Sequence, residues 1–390
     1  MTGDRVLAET DVLVVGAGIY GCAVAYFLTH FGIDATVVDA GDIGAEASGA
    51  NAGNLHLQLS PFSHADKSQA WLADFAGTLP FFTEAVSLWK RLGRELEIDI
   101  ELRCPGGLMV AETEAQLDTL RNKVALERSH GLRIDMIDRA ELRRLAPYLS
   151  PRLLGASYCP DEGMANALLA VVALADSARR GGARFYTGAR VDSLTSGNGG
   201  WRVGTRRGTV LCRRVVIAAG SRAADVAALA DGHLPMAHRV IQMIATEACT
   251  PFIDHLVYHA EERLTLKQVA NGNILIGGGW TAARGGTFER PVVLGDSLRG
   301  SLQLAARVVP RLGSATVIRS WAGPNIYTPD GRPTLGPMPE QPGLFAAVCN
   351  TYGFTLGPLC GLLVAEMIAG RPTSFDVSSF APGRFAALQA

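Results

Sequence analysis

The sequence predicts a mixed α/β (α+β) protein: a doubly wound, parallel-sheet domain, discontinuous in the chain, interleaved with a domain built on an antiparallel sheet. Three features point to it. A β-branched run, a glycine-rich turn, an apolar helix and a second β-branched run follow one another within the first 39 residues, which is the crossover a parallel sheet requires. Beyond them, α/β stretches alternate with stretches that are mostly β. And 390 residues, 48% hydrophobic and 19% charged, exceed one typical core and suit two.

Taken in order, residues 11–15 (DVLVV) read as a buried parallel strand, 16–21 as a turn, 22–30 as a helix and 35–39 as a second strand. Residues 70–103 and 112–130 are charged and helical, with Leu117, Leu120, Val124 and Leu126 at helix-like intervals. A helix at 166–180, strands at 184–194 and 201–205, and a buried strand at 214–220 ending in glycine come next. Strands at 240–246, 264–269 and 273–277, a helix at 297–308 and a β run through Trp321 complete the pattern. This order assigns residues 1–80, 150–225 and 316–390 to the parallel-sheet domain, and 81–149 and 226–315 to the antiparallel one.

Composition removes several function classes. Lys+Arg total 36 against Asp+Glu 37, so the chain has no electrostatic footprint for nucleic acid. Seven scattered cysteines form no CxxC; they read as reduced, hence cytoplasmic, and hold no iron–sulfur centre in this chain. Residues 12–28 and 344–365 are uncharged runs of 17 and 22 residues, long enough to span a membrane. Gly16, Gly18 and Gly21 break the first, and Gly353, Gly357 and Pro358 the second, so each reads as strand, turn and helix. No basic segment precedes the first run. A soluble chain without membrane insertion is expected, with any membrane association through partners. His255 and His259 have an i,i+4 spacing that binds metal on a helix, but their surroundings are strand-rich, so no metal is expected.

Gly16-Ala17-Gly18-Ile19-Tyr20-Gly21 has the G-x-G-x-x-G spacing between strand and helix. Gly16 permits the tight turn, Gly18 lets backbone approach a pyrophosphate at the helix N-terminus, and Gly21 packs helix on strand. Asp39, followed by Ala40, lies 18 residues after Gly21, where an acid binds both ribose hydroxyls and disfavours a 2′-phosphate. The unit is therefore Rossmann-like and takes FAD or NAD rather than NADP. Residues 44–56 (GAEASGANAGNLH) are small enough for close contact with a long ligand.

The fingerprint, the 48–53 loop (SGANAG), the strand 216–220 (VIAAG) and 330–336 (DGRPTLG) followed by 343–361 resemble the FAD-binding segments of the D-amino acid oxidase superfamily. That superfamily includes glycine oxidase, sarcosine oxidase and amino acid dehydrogenases, and the resemblance runs from about residue 11 to 370. Residues 51–56, 264–268 with 276–280, and 321–330 further resemble the flavin subunits of hydrogen cyanide synthase, opine oxidases and hydroxyproline or proline dehydrogenases.

The resemblance implies FAD held by Gly16, Ala17, Gly18, Ile19, Gly21, Asp39 and Ala40 at the ADP half. Ser48 and the backbone of Asn51, Ala52, Gly53, Asn54 and Leu55 would line the pyrophosphate and flavin edge, and Val191 would meet the adenine. Ala219 and Gly220 would sit beside the cofactor, and Gly353, Phe354 and Thr355 would present amides to the pyrimidine end of the ring system. Gly323 stands where covalent members carry cysteine, which implies non-covalent flavin. Asn325 stands where relatives that clamp a free amino acid carry arginine. Substrate-side candidates are His56, Tyr258, Trp280, Asn325, Tyr327 and Tyr352. Lys267 is expected to be a solvated strand lysine, with carboxylate binding by it or Arg332 as the alternative.

The activity so implied is oxidation of the C–N bond of a secondary amine or amino acid, imino acid or opine-like, by hydride transfer to flavin N5. The chain would be the catalytic subunit of a hetero-oligomeric dehydrogenase whose partner subunits carry further redox centres. Two alternatives stand beside it: a self-sufficient oxidase of glycine or sarcosine oxidase type making hydrogen peroxide, and a non-catalytic flavin subunit relaying electrons.

Overall fold

The computed structural model describes residues 5–61, 66–197, 199–285, 290–348 and 350–388. Val6–Val15 is flanked on both sides by parallel neighbours, Gly208–Ile217 and Ala35–Val38. Leu344–Val348 and the antiparallel Thr334–Pro337 extend the sheet one way, and Arg184–Tyr186 the other. A meander of Val191–Gly197 and Gly200–Thr205 returns antiparallel onto Gly208–Ile217. Alternation along the first strand sends Val12 and Val14 into one apolar cluster and Leu13 and Val15 into another. The first cluster is filled by the helices Ile19–His30, Ala167–Arg180 and Gly353–Ile368, and the second by Leu194, Trp201 and Val203 of the meander with Ala223, Val226 and Ala227, so both faces are covered, as a parallel sheet requires.

The second sheet runs Val317–Tyr327, Ala237–Thr246, Ile274–Gly277, Thr265–Gln268, Leu256–His259, Gly107–Ala111, Gly155–Cys159, Asp135–Asp138. It is antiparallel except between Leu256–His259 and Gly107–Ala111. One face packs Ile244, Val257, Leu266 and Ile276 on Leu304, Ala305 and Val308 of the helix Gly295–Val308. The alternate residues, Met243, Tyr258 and Lys267 among them, point to the opposite face.

Several elements differ from the sequence expectation. Gly155–Cys159 and Val317–Tyr327, placed with the parallel sheet from sequence, hydrogen-bond into the second sheet; short β runs do not encode which sheet they join. Residues 70–103 form two helices, Gln69–Ala76 and Leu79–Glu95, parted at Gly77 and Thr78. The second buries Phe82, Ala85, Leu88, Trp89 and Leu92, and Trp89 donates to the Thr355 carbonyl at 3.0 Å. It therefore packs with the first core, although sequence order placed residues 81–149 in the other domain. Cys22, Cys104, Cys159, Cys212, Cys249 and Cys360 are free thiols, and Cys349 lies outside the described residues. Among the described residues no helix is long and apolar enough to cross a membrane.

Candidate functional site

The parallel strands end at a cleft of about 910 Å³. Gly16 turns the chain there at φ 113°, and a Cβ on it would lie 2.4 Å from the Ala218 carbonyl oxygen. The helix that follows begins at Ile19 with no side-chain cap on its own first turn; instead Ser48 Oγ accepts from the Ile19 amide at 3.0 Å. The macrodipole and free amides of such a terminus favour an anion. Asp39 closes the second strand, and its carboxylate is fixed by the amides of Ala17 at 2.6 Å and Gly41 at 2.7 Å.

Of the residues expected to hold the ADP half, Gly16, Gly18, Ile19, Asp39 and Ala40 line the cleft, with Ser48 and Asn51 beside them. Val191, Ala219, Gly220, Gly353 and Phe354 line it too. Ala17, Gly21, Ala52, Gly53, Asn54, Leu55 and Thr355 do not. Several of these build the wall from behind. Gly21 lets the helix close on the strand, since a Cβ there would meet Gly16 O at 1.9 Å. Asn51 Oδ1 accepts from the Gly53 amide at 2.6 Å, and the turn leads into Asn54–Leu55, which pairs with Gly163–Met164. Thr355 Oγ1 accepts from the His56 amide at 3.0 Å and donates to the Asn54 carbonyl at 3.2 Å. Asn54 Oδ1, behind that wall, is buried with no partner among the described residues. Cleft volume, a helix N-terminus facing the cleft and a fixed acid fit FAD. Arg190, Arg222, His238 and Arg284 also line the cleft; sequence reasoning passed over them because isolated surface cations carry no motif.

Three of the substrate-side candidates come together. Tyr258 Oη lies 3.1 Å from His56 Nδ1, and the His56 ring centroid is 5.5 Å from that of Tyr258 and 5.9 Å from that of Tyr352. Asn325 lines the cleft and donates through Nδ2 to Tyr327 Oη at 3.0 Å. Trp280 does not join them. Its indole donates to the Arg263 carbonyl at 2.6 Å, and the ring packs with the apolar cluster on the helix-covered face, over Gly300. Burial, reinforced by the nearby Lys267, lowers the His56 pKa to about 4, so the ring is neutral near pH 7. Burial raises the pKa of both tyrosines, which keeps the phenols protonated.

Lys267 is not solvated. It is 1% exposed, its Nζ has no partner among the described residues, and burial followed by the Arg103 charge lowers its pKa to about 7. Unfolded, the amine titrates near 10.4. The unfolded state therefore binds more protons between about pH 7 and 10, and stability rises with pH across that window. Lys267→Met is expected to raise the thermal midpoint, and to raise it more at pH 6 than at pH 10; equal gains at both would show that the buried amine is not the cause. Arg332 instead pairs with Asp74 at 2.7 Å.

Behind His56 lies a buried ionic network that the sequence did not reveal. Glu162 Oε1 accepts from the amides of Leu57 at 2.7 Å and Gln58 at 2.9 Å, and Oε2 from Gln58 Nε2 at 2.9 Å. Lys123 Nζ donates to Gln58 Oε1 at 3.0 Å and Glu127 Oε2 at 2.8 Å. Glu127 Oε1 in turn accepts from the Leu59 amide at 2.6 Å. Three consecutive amides after His56 are thus held by two buried carboxylates, which fixes the imidazole's backbone. Glu162 and Tyr258 both crowd Gly107, where a Cβ would lie 1.8 Å from Glu162 Oε2 and 3.1 Å from Tyr258 Cε2.

His255 and His259 form no helical metal pair. His255 Nδ1 meets Tyr148 Oη at 2.9 Å. Side-chain ligand atoms of His259, Glu112 and Glu262 lie within 4.8 Å of one another, but Arg307 pairs with both carboxylates and supplies the positive charge the cluster needs.

Comparison with known proteins agrees with this geometry. The chain matches the DAO family of FAD dependent oxidoreductases over residues 11–367. It is 32% identical over 372 residues to glycine oxidase from Geobacillus kaustophilus (strain HTA426), covering 95% of this chain and 96% of that protein. It is 29% identical over 387 residues to an opine oxidase subunit from Rhizobium meliloti, covering 98% and 99%. The crystal structure of glycine oxidase from Geobacillus kaustophilus superposes with a TM-score of 0.85 at 29% identity, over 96% of this chain and 99% of that one. The chain thus belongs to the DAO family of FAD dependent oxidoreductases.

Proposed function

We propose that the chain oxidises the C–N bond of a secondary amine or amino acid, imino acid or opine-like, as the catalytic subunit of a hetero-oligomeric dehydrogenase. The observation that carries this reading is the neutral, aromatic cluster of His56, Tyr258 and Tyr352 directly after the flavin-loop strand Asn54–Leu55. FAD supplies the hydride acceptor at N5. The chain's own residues hold the α C–H in place, keep the amine neutral and exclude water. An unprotonated His56 accepts a hydrogen bond and repels no amine N–H, while the buried phenols donate. No charged general base is required by this arrangement.

The hetero-oligomer reading draws on the full-length likeness to a protein that is named as one subunit of an opine oxidase. The likeness to glycine oxidase supports the second reading, a self-sufficient oxidase that returns its electrons to O2 as hydrogen peroxide. Anaerobic titration of the purified chain with proline, hydroxyproline, sarcosine, D-alanine and opines, followed by air, separates them. Bleaching by a secondary amine with slow recovery in air is the expected result. Fast recovery with peroxide would make it an oxidase, and bleaching by dithionite but by no amine would leave only an electron-relay role.

A further inference from the structure

We propose that Arg384 is a positioning residue for the flavin: through the turn at 328–334 and through Asn350, it fixes the N-terminus of the helix Gly353–Ile368 at the cleft. Arg384 lies in the segment Pro382–Leu388 and does not itself line the cleft. Its Nε donates to Asp330 Oδ2 at 2.8 Å and its Nη2 to Asp330 Oδ1 at 3.2 Å, a bidentate pairing. Nη2 also reaches the carbonyls of Pro333 at 3.0 Å and Arg332 at 3.3 Å. Nη1 donates to the carbonyls of Phe380 at 2.7 Å and Ala381 at 3.1 Å, so one guanidinium joins the C-terminal segment to the turn. With side chains 14% and 26% exposed, the Arg384–Asp330 pair is sheltered from the screening that weakens surface pairs.

The turn so held meets the cleft through one buried side chain. Within it, the Thr328 carbonyl accepts from the Gly331 amide at 3.2 Å, and Thr328 Oγ1 donates to the Arg332 carbonyl at 2.6 Å. The Gly331 carbonyl accepts from Asn350 Nδ2. Asn350 is 3% exposed and lines the cleft. Its Oδ1 accepts from the Tyr352 amide at 3.1 Å, and its carbonyl from the Gly353 amide at 3.0 Å. Asn350 therefore sets the two residues that open the helix, whose N-cap Tyr352 supplies no side-chain cap. Gly353 and Phe354 line the cleft, and the first-turn amides and macrodipole of such a terminus favour negative charge. A reduced flavin carries that charge at its pyrimidine end. Rigid placement of this terminus thus raises the flavin's reduction potential; the inference rests on the expectation that these amides meet the pyrimidine end of the ring system.

The test is the midpoint potential of FAD-saturated protein, titrated with dithionite against a dye of known potential. It needs no amine, so its outcome is independent of the amine-oxidising reading. Arg384→Gln is expected to prefer the reduced flavin about tenfold less than wild type, a fall of about 30 mV for a two-electron couple. Arg384→Lys keeps a charge for Asp330 but loses the planar fork, and should recover part of the shift. Asp330→Asn should also lower the potential. The double variant should fall no further than the larger single effect, because both residues act through one contact. An unchanged potential in Arg384→Gln overturns the proposal even where the thermal midpoint drops, since Arg384 then only fastens the C-terminal segment. Additive shifts in the double variant overturn it too. Should Arg384→Gln fail to fold, Asp330→Asn decides alone: a lowered potential supports the proposal, and a wild-type potential overturns it.

Discussion

Gly16→Ala is expected to give a colourless protein. The new Cβ would lie 2.4 Å from the Ala218 oxygen and 2.7 Å from its carbonyl carbon, and both are backbone atoms that cannot rotate away. The residue also sits at φ 113°, where L side chains are strained. Relief would push the turn off the strand ends and tilt the N-terminus of Ile19–His30 that faces the cleft. Overpacking and strain together are expected to lower stability by about 2 kcal/mol or more, and FAD content after purification should fall to near zero. Gly313→Ala is the control: its Cβ meets nothing within 4 Å, and it should stay yellow. A yellow Gly16→Ala with unchanged stability would contradict the cleft assignment.

Lys123→Met carries the second large effect. It leaves the Glu127 carboxylate, 0% exposed, without its cation, and breaking a buried pair in this way costs about 3–5 kcal/mol. Burial already raises the Glu127 pKa against the pull of Lys123, and removing the lysine raises it further. A carboxyl whose folded pKa lies above its unfolded value contributes stability that is complete below about pH 4.3 and is lost as pH rises through the folded value. The variant should therefore be less destabilised at pH 5 than at pH 8. Lys123→Met with Glu127→Gln should recover most of the loss, because the glutamine oxygen still accepts from the Leu59 amide. Equal destabilisation in the single and double variants, measured by denaturant unfolding, would show that lost packing rather than the unpaired charge is responsible.

The nucleotide half was legible because its chemistry is local. Gly16, Gly18 and Asp39 are specified by spacing within one crossover and Ser48 by the family resemblance, and the structure places all four on the cleft. The antiparallel half was legible only in part. Gly107–Ala111 and Asp135–Asp138 are short strands beside charged helices, and their pairing with Gly155–Cys159 is a long-range event without a sequence signal. The same limit explains Lys267 and Lys123. Lys267 alternates with apolar neighbours as a solvated strand residue would, yet the alternate face of its sheet is itself buried. Lys123 and Glu127 have the i,i+4 spacing of a surface pair, which usually marks a solvated helix face. Here the helix turns that face inward, onto the segment after His56. Trp280 was grouped with the substrate side for its place in a segment that resembles the family, and the structure packs its ring over Gly300 on the helix-covered face.

Whether this chain takes a hydride from the carbon bearing an amine nitrogen is decided by anaerobic single-turnover bleaching of the FAD-loaded protein, with a bleaching amine protiated or deuterated at that carbon. A severalfold slower bleaching with the deuterated amine, and an imine or its hydrolysis product formed in equal amount to the flavin bleached, is the expected result. Bleaching at the same rate with both isotopologues and no imine product would contradict hydride transfer from the α-carbon at this site.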